Sequence, residues 1–372
     1  MKTVCELNKC AGCMACAEIC AQKAITIQDT LSAYNAVINE KVCVDCQLCH
    51  KICPQNNVPE LVEPKEWYQG WAKDGDIRRS CSSGGFATAI SLAFIKSGGY
   101  VYSCVFDHGE FRFKKAVEAS EVQKFAGSKY VKSNPAGIYR AIKTDLKKGS
   151  RVLFIGLPCQ VAAVKNYVGL ALADKLYTVD LICHGTPSPN LLNTFLKQYG
   201  KDLNSLQSIS FRVKAKMQIH GNYKGIVTKG VSDRYTIAFL NGLTYTDNCY
   251  ACQYAQRKRV SDITLGDAWG SNLSLEDKKD GISLALCQTK KGTELLKKAD
   301  VQRFDVDLEA AISNNQQLDH PSHRPACRSD FFRCIKDGEN FNKKVKKYFP
   351  KQCFKQNVKE FLIRMHIISG KQ

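Results

Sequence analysis

Lys9–Cys20 reads KCAGCMACAEIC, and Val42–Pro54 reads VCVDCQLCHKICP. Both runs space their cysteines CxxCxxCxxxC, as Cys10, Cys13, Cys16 and Cys20, then as Cys43, Cys46, Cys49 and Cys53. Three thiols in one tight loop can wrap three irons of a cubane, and a fourth on the following helix points to the other cluster. The spacing therefore groups Cys10, Cys13 and Cys16 with Cys53, and Cys43, Cys46 and Cys49 with Cys20. Zinc also favours CxxC pairs. These runs supply three thiols per loop twice over, which favours two 4Fe–4S clusters. Pro54 follows the second run where the first has Ala21, a change that loosens a turn without removing a ligand. Strand-like AITIQ and NAVIN accompany the runs, so residues 1–60 read as an α+β ferredoxin-like module with an internal repeat. Cys5 has no partner at ligand spacing and reads as a buried thiol.

The chain has 372 residues, of which 19 are cysteine. An odd count at metal-type spacing argues against a secreted disulfide framework. The start has no apolar signal-peptide region and no run is long enough to span a bilayer, so a reducing cytoplasm is the expected compartment. The formal net charge is +19, unevenly spread: residues 1–64 hold five lysines against seven acids, and the remainder carries +21. The basic residues lack aromatic interleaving or a nucleic-acid-binding signature, so no specific nucleic acid is expected. Lysines alternate with Phe, Leu and Ile in the tail, residues 341–372. That stretch reads as a basic helix able to touch an anionic membrane weakly.

PQNNVPELVEPKEW punctuates the chain at about residues 54–66. Beyond it, residues 67–340 alternate apolar strands with helices, which predicts a larger α/β domain with a mostly parallel sheet. SISFRVKAK and YTIAFLNGLTYT read as an antiparallel insertion. Cys159 and Cys183 each follow a strand, and Cys249 and Cys252 form a CxxC. Strand C-termini of a parallel sheet line one edge, where cofactors bind, so these four thiols can close a third site. Taken singly, Cys159 also fits a turn with a buried thiol, and the CxxC a redox pair or half a zinc site. Ser82, Ser83, Gly84 and Gly85 open a helix, where backbone N–H groups suit a phosphate or flavin. Ser128, Lys129 and Tyr130 add a hydroxyl, a cation and a ring in one loop. His184 follows a proposed ligand and fits a proton donor, a group behind the ligand, or a structural histidine. His320, His323, Arg324 and Arg328 suit an acidic substrate or a charged surface loop.

SCSSGGFATA, GSKYV, GLPCQ, ICHGTPSP and CYACQYAQRKRVSDITLGDAWG, in this order, resemble the coenzyme F420 hydrogenase/dehydrogenase beta-subunit family over roughly Trp67–Phe332. The N-terminal module resembles a two-cluster bacterial ferredoxin. The resemblance implies FAD, a third 4Fe–4S cluster on Cys159, Cys183, Cys249 and Cys252, and flavin contacts at Ser82–Gly85 and Ser128–Lys129. It also carries over Asp262, Gly266, Asp267 and Trp269 as residues lining the site. His184 and Asp267 are its catalytic candidates. Family members reduce or oxidise a deazaflavin; those with a fused ferredoxin module resemble proteins encoded with polysaccharide synthesis enzymes. The implied activity is an iron–sulfur flavin-dependent oxidoreductase. It would be fed by a low-potential donor such as ferredoxin or another oxidoreductase, and would act on a small molecule. The rival is a non-catalytic electron-transfer subunit.

Overall fold

The computed structural model describes residues 1–214 and 216–369; the last three residues of the expected tail lie outside them. In the N-terminal part, the hairpin β1 (Ile25–Asp29) and β2 (Tyr34–Ile38) pairs antiparallel. The short helices Ala15–Ile19 and Leu48–Ile52 flank it. Each cysteine run opens one of these helices, so the two halves run helix–strand and strand–helix.

The larger part is built on an eight-stranded sheet. Its strands are β3 (Glu66–Ala72), β4 (Tyr100–Asp107), β5 (Glu110–Ala116), β6 (Val152–Gly156) and β7 (Leu176–Leu181). A separate antiparallel sheet follows, formed by β8 (Ile209–Val213), β9 (Lys216–Gly221) and β10 (Lys224–Gly225). The main sheet then resumes with β11 (Ile263–Asp267), β12 (Ser283–Cys287) and β13 (Val301–Phe304), giving the order β13-β3-β12-β11-β7-β6-β4-β5. The central strands β4, β6, β7 and β11 are parallel. Antiparallel strands extend the sheet at both sides.

Both faces of the parallel strands are covered, which is why they read as near-continuous apolar runs. Val101, Leu153 and Ile155 point to one face, against helices Phe86–Lys96 and Lys290–Lys298. Tyr102, Val152 and Phe154 point to the other, against Ile138–Lys147 and Pro158–Val168. Cys13, Ala15 and Ile52 belong to this second core, so the N-terminal module sits on that helical layer.

The insertion appears as β8–β10, but YTIAFL is the helix Arg234–Leu240 and not a strand. Asp233 caps it by accepting from the Thr236 N–H at 2.8 Å, and Tyr235, Thr236, Ile237, Ala238 and Phe239 are all buried. Tertiary packing overrides the β preference of these residues. The stretch before β3 is held along the large domain rather than loose. Val62 and Arg259 exchange both backbone hydrogen bonds at 2.9 Å.

Candidate functional site

The two cysteine loops share one unusual backbone. Gly12 and Asp45 have φ of +66° and +52°, and Met14 and Gln47 have +64° and +61°. Each pair occupies equivalent places in its run. A left-handed conformation costs a non-glycine residue about 1 kcal/mol or more, so its recurrence at Met14, Asp45 and Gln47 marks loops shaped for a purpose. The loop curls so that neighbouring thiols face a shared space. Burial, then the charges of Cys16, Cys10 and Cys53, push the Cys13 thiol up. Burial, then Cys10, Cys53 and Cys49, do the same to Cys16. Burial lifts Cys49 too, and Cys46 and Cys20 add to the lift. These influences follow the grouping expected from the spacing, with each fourth cysteine lying across from the other run. Cys5 is buried and hydrogen-bonds Cys10 and Cys53, which raises its own thiol.

Four further thiols meet at the C-terminal edge of the parallel strands. Pro158 and Cys159 form the first turn of a helix just past β6, and Cys183 lies just past β7. Cys249 and Cys252 come from the turn at Asp247–Ala251. Burial pushes Cys159 up to about 12, and Cys252 and Cys249 lie close enough to add to the shift. Cys183 is raised by burial and then by Cys249, Cys159 and Cys252. Among the described residues, no three His, Cys, Asp or Glu side chains close to the spacing of a single-ion site. Four sulfurs around a space wider than one ion suit a cubane. Bound iron would displace the protons that burial otherwise keeps on these thiols.

The same edge borders a cavity of about 460 Å³, within the size range of cofactor sites. Ser82, Ser83, Gly85, Ser128, Lys129, Tyr130, Cys183, His184, Asp267 and Trp269 all line it. The two loops flagged for flavin are joined directly, since Ser82 Oγ accepts from the Ser128 N–H at 2.8 Å. Gly85, at φ +91°, starts helix Phe86–Lys96. Gly84 points away, and a Cβ there would come within 2.3 Å of the Gly70 carbonyl oxygen. It is therefore a packing glycine behind the cradle. Lys129 is buried, donates to the carbonyls of Phe125 and Ala126, and has its pKa lowered by that burial. No carboxylate pairs with it among the described residues. A buried cation on a cavity wall fits an anionic group such as a flavin pyrophosphate. Tyr130 stacks on Phe239 at 4.5 Å and supplies an aromatic wall.

Other residues occupy different places from those expected. Asp267 is engaged by Arg212 through two hydrogen bonds, at 2.5 and 3.0 Å. Its carboxylate thus holds a guanidinium at the cavity wall. Arg212 was hidden in the sequence because it sits inside β8, where a lone arginine reads as a surface charge. Burial pulls the His184 imidazole below its ordinary value, with Asp267 opposing. Asp262 is not at the cavity. Its carboxylate binds Thr178 N–H, Thr178 Oγ1 and Thr289 Oγ1 and braces β7 against a helix. Arg328 is not a substrate-loop charge either. It is 1% exposed, pairs with Asp247 at 2.7 Å and donates to the Ser32 carbonyl, tying the CxxC turn to the N-terminal hairpin.

Residues 9–57 match the 4Fe–4S dicluster domain, a range containing all eight cysteines of the two runs. Residues 149–310 match the C terminus of the coenzyme F420 hydrogenase/dehydrogenase beta subunit, a range containing Cys159, Cys183, Cys249 and Cys252. The loops at 82–85 and 128–130 fall outside both ranges. No curated protein matches the chain. A chain of the F420-reducing NiFe hydrogenase complex from Methanosarcina barkeri shares the fold. It aligns at TM-score 0.50 and 19% identity, covering 72% of this chain and 98% of that one. By its two matched domains and their order, the chain belongs to the coenzyme F420 hydrogenase/dehydrogenase beta-subunit family and carries a 4Fe–4S dicluster domain ahead of the beta-subunit domain.

Proposed function

We propose that this chain is an iron–sulfur flavoprotein oxidoreductase that accepts electrons singly from a low-potential donor and transfers them in pairs to or from a small organic molecule. The family name favours a deazaflavin; an intermediate of glycan synthesis is the other candidate. Residues 1–60 form the receiving module and residues 67–340 the domain that holds the organic substrate. Clusters, when bound, supply one-electron transfer, and a bound FAD couples it to two-electron chemistry.

The residues divide the work by position. Cys43, Cys46, Cys49 and Cys20 hold the outer cluster, because Cys46 is exposed and the other three are half-buried. Cys10, Cys13, Cys16 and Cys53 hold the inner one, since Cys13 packs in the core that also touches Cys159 and Cys252. Cys159, Cys183, Cys249 and Cys252 hold the third. Ser82, Ser83, Gly85, Ser128, Lys129 and Tyr130 seat the flavin, with Gly84 packed behind them. His184 handles a proton at its ring nitrogen, and Asp267 fixes Arg212 at the wall. The observation that carries this reading is Cys183, which belongs both to the third thiol set and to the cavity wall.

Anaerobic purification with iron, sulfide and flavin measured tests it. About twelve irons and one FAD per chain are expected. About eight irons with flavin would remove the third set from the scheme. Iron without flavin would leave the second reading, an electron-transfer subunit feeding a partner enzyme, which membership in a beta-subunit family favours. Reoxidation of the dithionite-reduced flavin by a small molecule, with no second protein present, separates enzyme from subunit.

A further inference from the structure

Helix Pro350–Arg364 closes the described chain and has two unlike faces. Its inner face is fastened to the large domain. Cys353 is buried. Gln356 accepts from the Ser232 N–H at 2.9 Å, Glu360 accepts from Thr228 Oγ1 at 2.9 Å, and Lys359 donates to the Gly230 carbonyl at 2.5 Å. Its outer face carries Phe354, Val358, Phe361 and Met365. At about 100° per residue these fall on one narrow stripe, which the exposed Ile367 and Ile368 extend beyond the helix end. Phe354 is 70% exposed and Phe361 60%.

The charges around the stripe have one sign. Lys351 stands at its N-terminal end, with Lys355 on one flank and Arg364 on the other. Lys343, Lys346 and Lys347 are exposed on the preceding helix Phe341–Tyr348. Residues 341–372 hold eight lysines and one arginine against a single acid, Glu360. That acid is already occupied by Thr228 and by Arg364, at 2.9 Å each.

We propose that this stripe lies in the surface of an anionic membrane. A stable protein interface needs a patch of about 800 Å² on each partner, far wider than a row of four side chains on one helix. An interfacial helix needs only an apolar face that sinks among the acyl chains and cations that reach the lipid phosphates. With the inner face bonded to the domain, the outer face is presented ready-made, without coupled folding. The inference is independent of the cofactors and of the proposed reaction.

The test is co-sedimentation of the full chain with neutral phosphatidylcholine vesicles and with vesicles carrying about 30% phosphatidylglycerol. The protein is expected to pellet with the acidic vesicles at low salt and to be released as salt is raised. Phe354→Ser with Phe361→Ser should lower the bound fraction about tenfold. Lys351→Glu with Lys355→Glu should lower it on acidic vesicles and remove most of the salt dependence. All four side chains are exposed, and far-ultraviolet circular dichroism checks that the variants stay folded. Failure of the wild-type chain to pellet with acidic vesicles at low salt overturns the proposal. So does equal pelleting of the wild-type and doubly substituted Phe proteins. A doubling of mass in solution that the Phe variant reverses would assign the stripe to a second copy, and would overturn it too.

Discussion

Each cysteine of the first run stands 33 residues ahead of its counterpart in the second, and both loops have the same positive-φ positions. Their surroundings are opposite. Cys10, Cys13 and Cys16 are buried, whereas Cys46 is exposed. The difference lies between the cysteines. Ala11, Gly12, Ala15 and Glu18 of the first run correspond to Val44, Asp45, Leu48 and Lys51 of the second. Small residues let the first loop press against the large domain, which satisfies its carbonyls. Lys132 donates to Ala11 O at 3.0 Å and Tyr139 to Cys13 O at 2.6 Å. The cysteine spacing thus sets the chemistry of a loop, and the residues between the thiols set where that chemistry is placed.

The largest expected effect comes from removing one thiol from each run. Cys13→Ser and Cys46→Ser should each lose about four irons per chain, read by iron and sulfide analysis. Cys13 lies in the core shared by both domains, so its loss should also lower stability by about 3 kcal/mol or more. Cys46→Ser should leave the denaturation midpoint of the large domain almost unchanged. Equal midpoints for the two variants would remove the distinction between a docked loop and a free one.

A second pair exchanges the residues at the shared φ. A Cβ on Gly12 would come within 2.8 Å of Lys132 Cδ and 3.3 Å of the Tyr34 ring. Gly12→Asp therefore combines a left-handed non-glycine with a clash at the docking surface, and should cost about 2–3 kcal/mol. Asp45→Gly, at an exposed position, should change stability by less than about 1 kcal/mol. Denaturant midpoints of the anaerobically purified proteins decide between them.

A third pair concerns charge. Glu18 accepts from the N–H groups of Gly137 and Arg140, at 2.8 and 2.5 Å, at the start of helix Ile138–Lys147. A carboxylate there satisfies orphan donors and complements the helix dipole. Lys51, its counterpart, is exposed. Glu18→Lys places a cation against the same N–H groups and should cost about 1–2 kcal/mol. Lys51→Glu should be nearly neutral in the same assay, with a change below about 0.5 kcal/mol. A destabilisation by Lys51→Glu as large as that by Glu18→Lys would show that the helix terminus does not distinguish the runs.

Much of this placement is legible once the runs are aligned on one another, because small residues against large ones and an acid against a base are visible without coordinates. The parallel strands β6 and β7 and the thiols beyond them are legible as well, since apolar runs that end in a turn specify a sheet edge. What is hidden depends on contacts between distant segments. YTIAFL carries a strand-like composition, and only the Asp233 cap and the burial of its residues make it a helix. Asp262 and Arg328 look like exposed functional charges until Thr178, Thr289, Asp247 and Ser32 are seen around them. Arg212 reaches Asp267 across 55 positions, beyond the range of any local pattern. In each case a charged side chain is explained by its partner, and the partner is not a sequence neighbour.

The smallest expected effect tests the free side of the second run. Val42, Val44 and Leu48 are exposed around it, with Val44 at 65%, while the equivalent Ala11 and Ala15 are buried in the first. An apolar rim beside a half-exposed thiol set suits brief docking of a donor protein, the kind of small interface that electron-transfer pairs use. Val44→Asp should slow reduction by a ferredoxin-type donor about threefold to tenfold through weaker docking. Reduction by dithionite should keep its rate, because a small reductant needs no docking surface. The two reductants separate a docking defect from a damaged cluster, since damage slows both. Equal slowing with both, or with neither, would mean that electrons enter elsewhere. The buried first run could not then be assigned the inner position by contrast with the second.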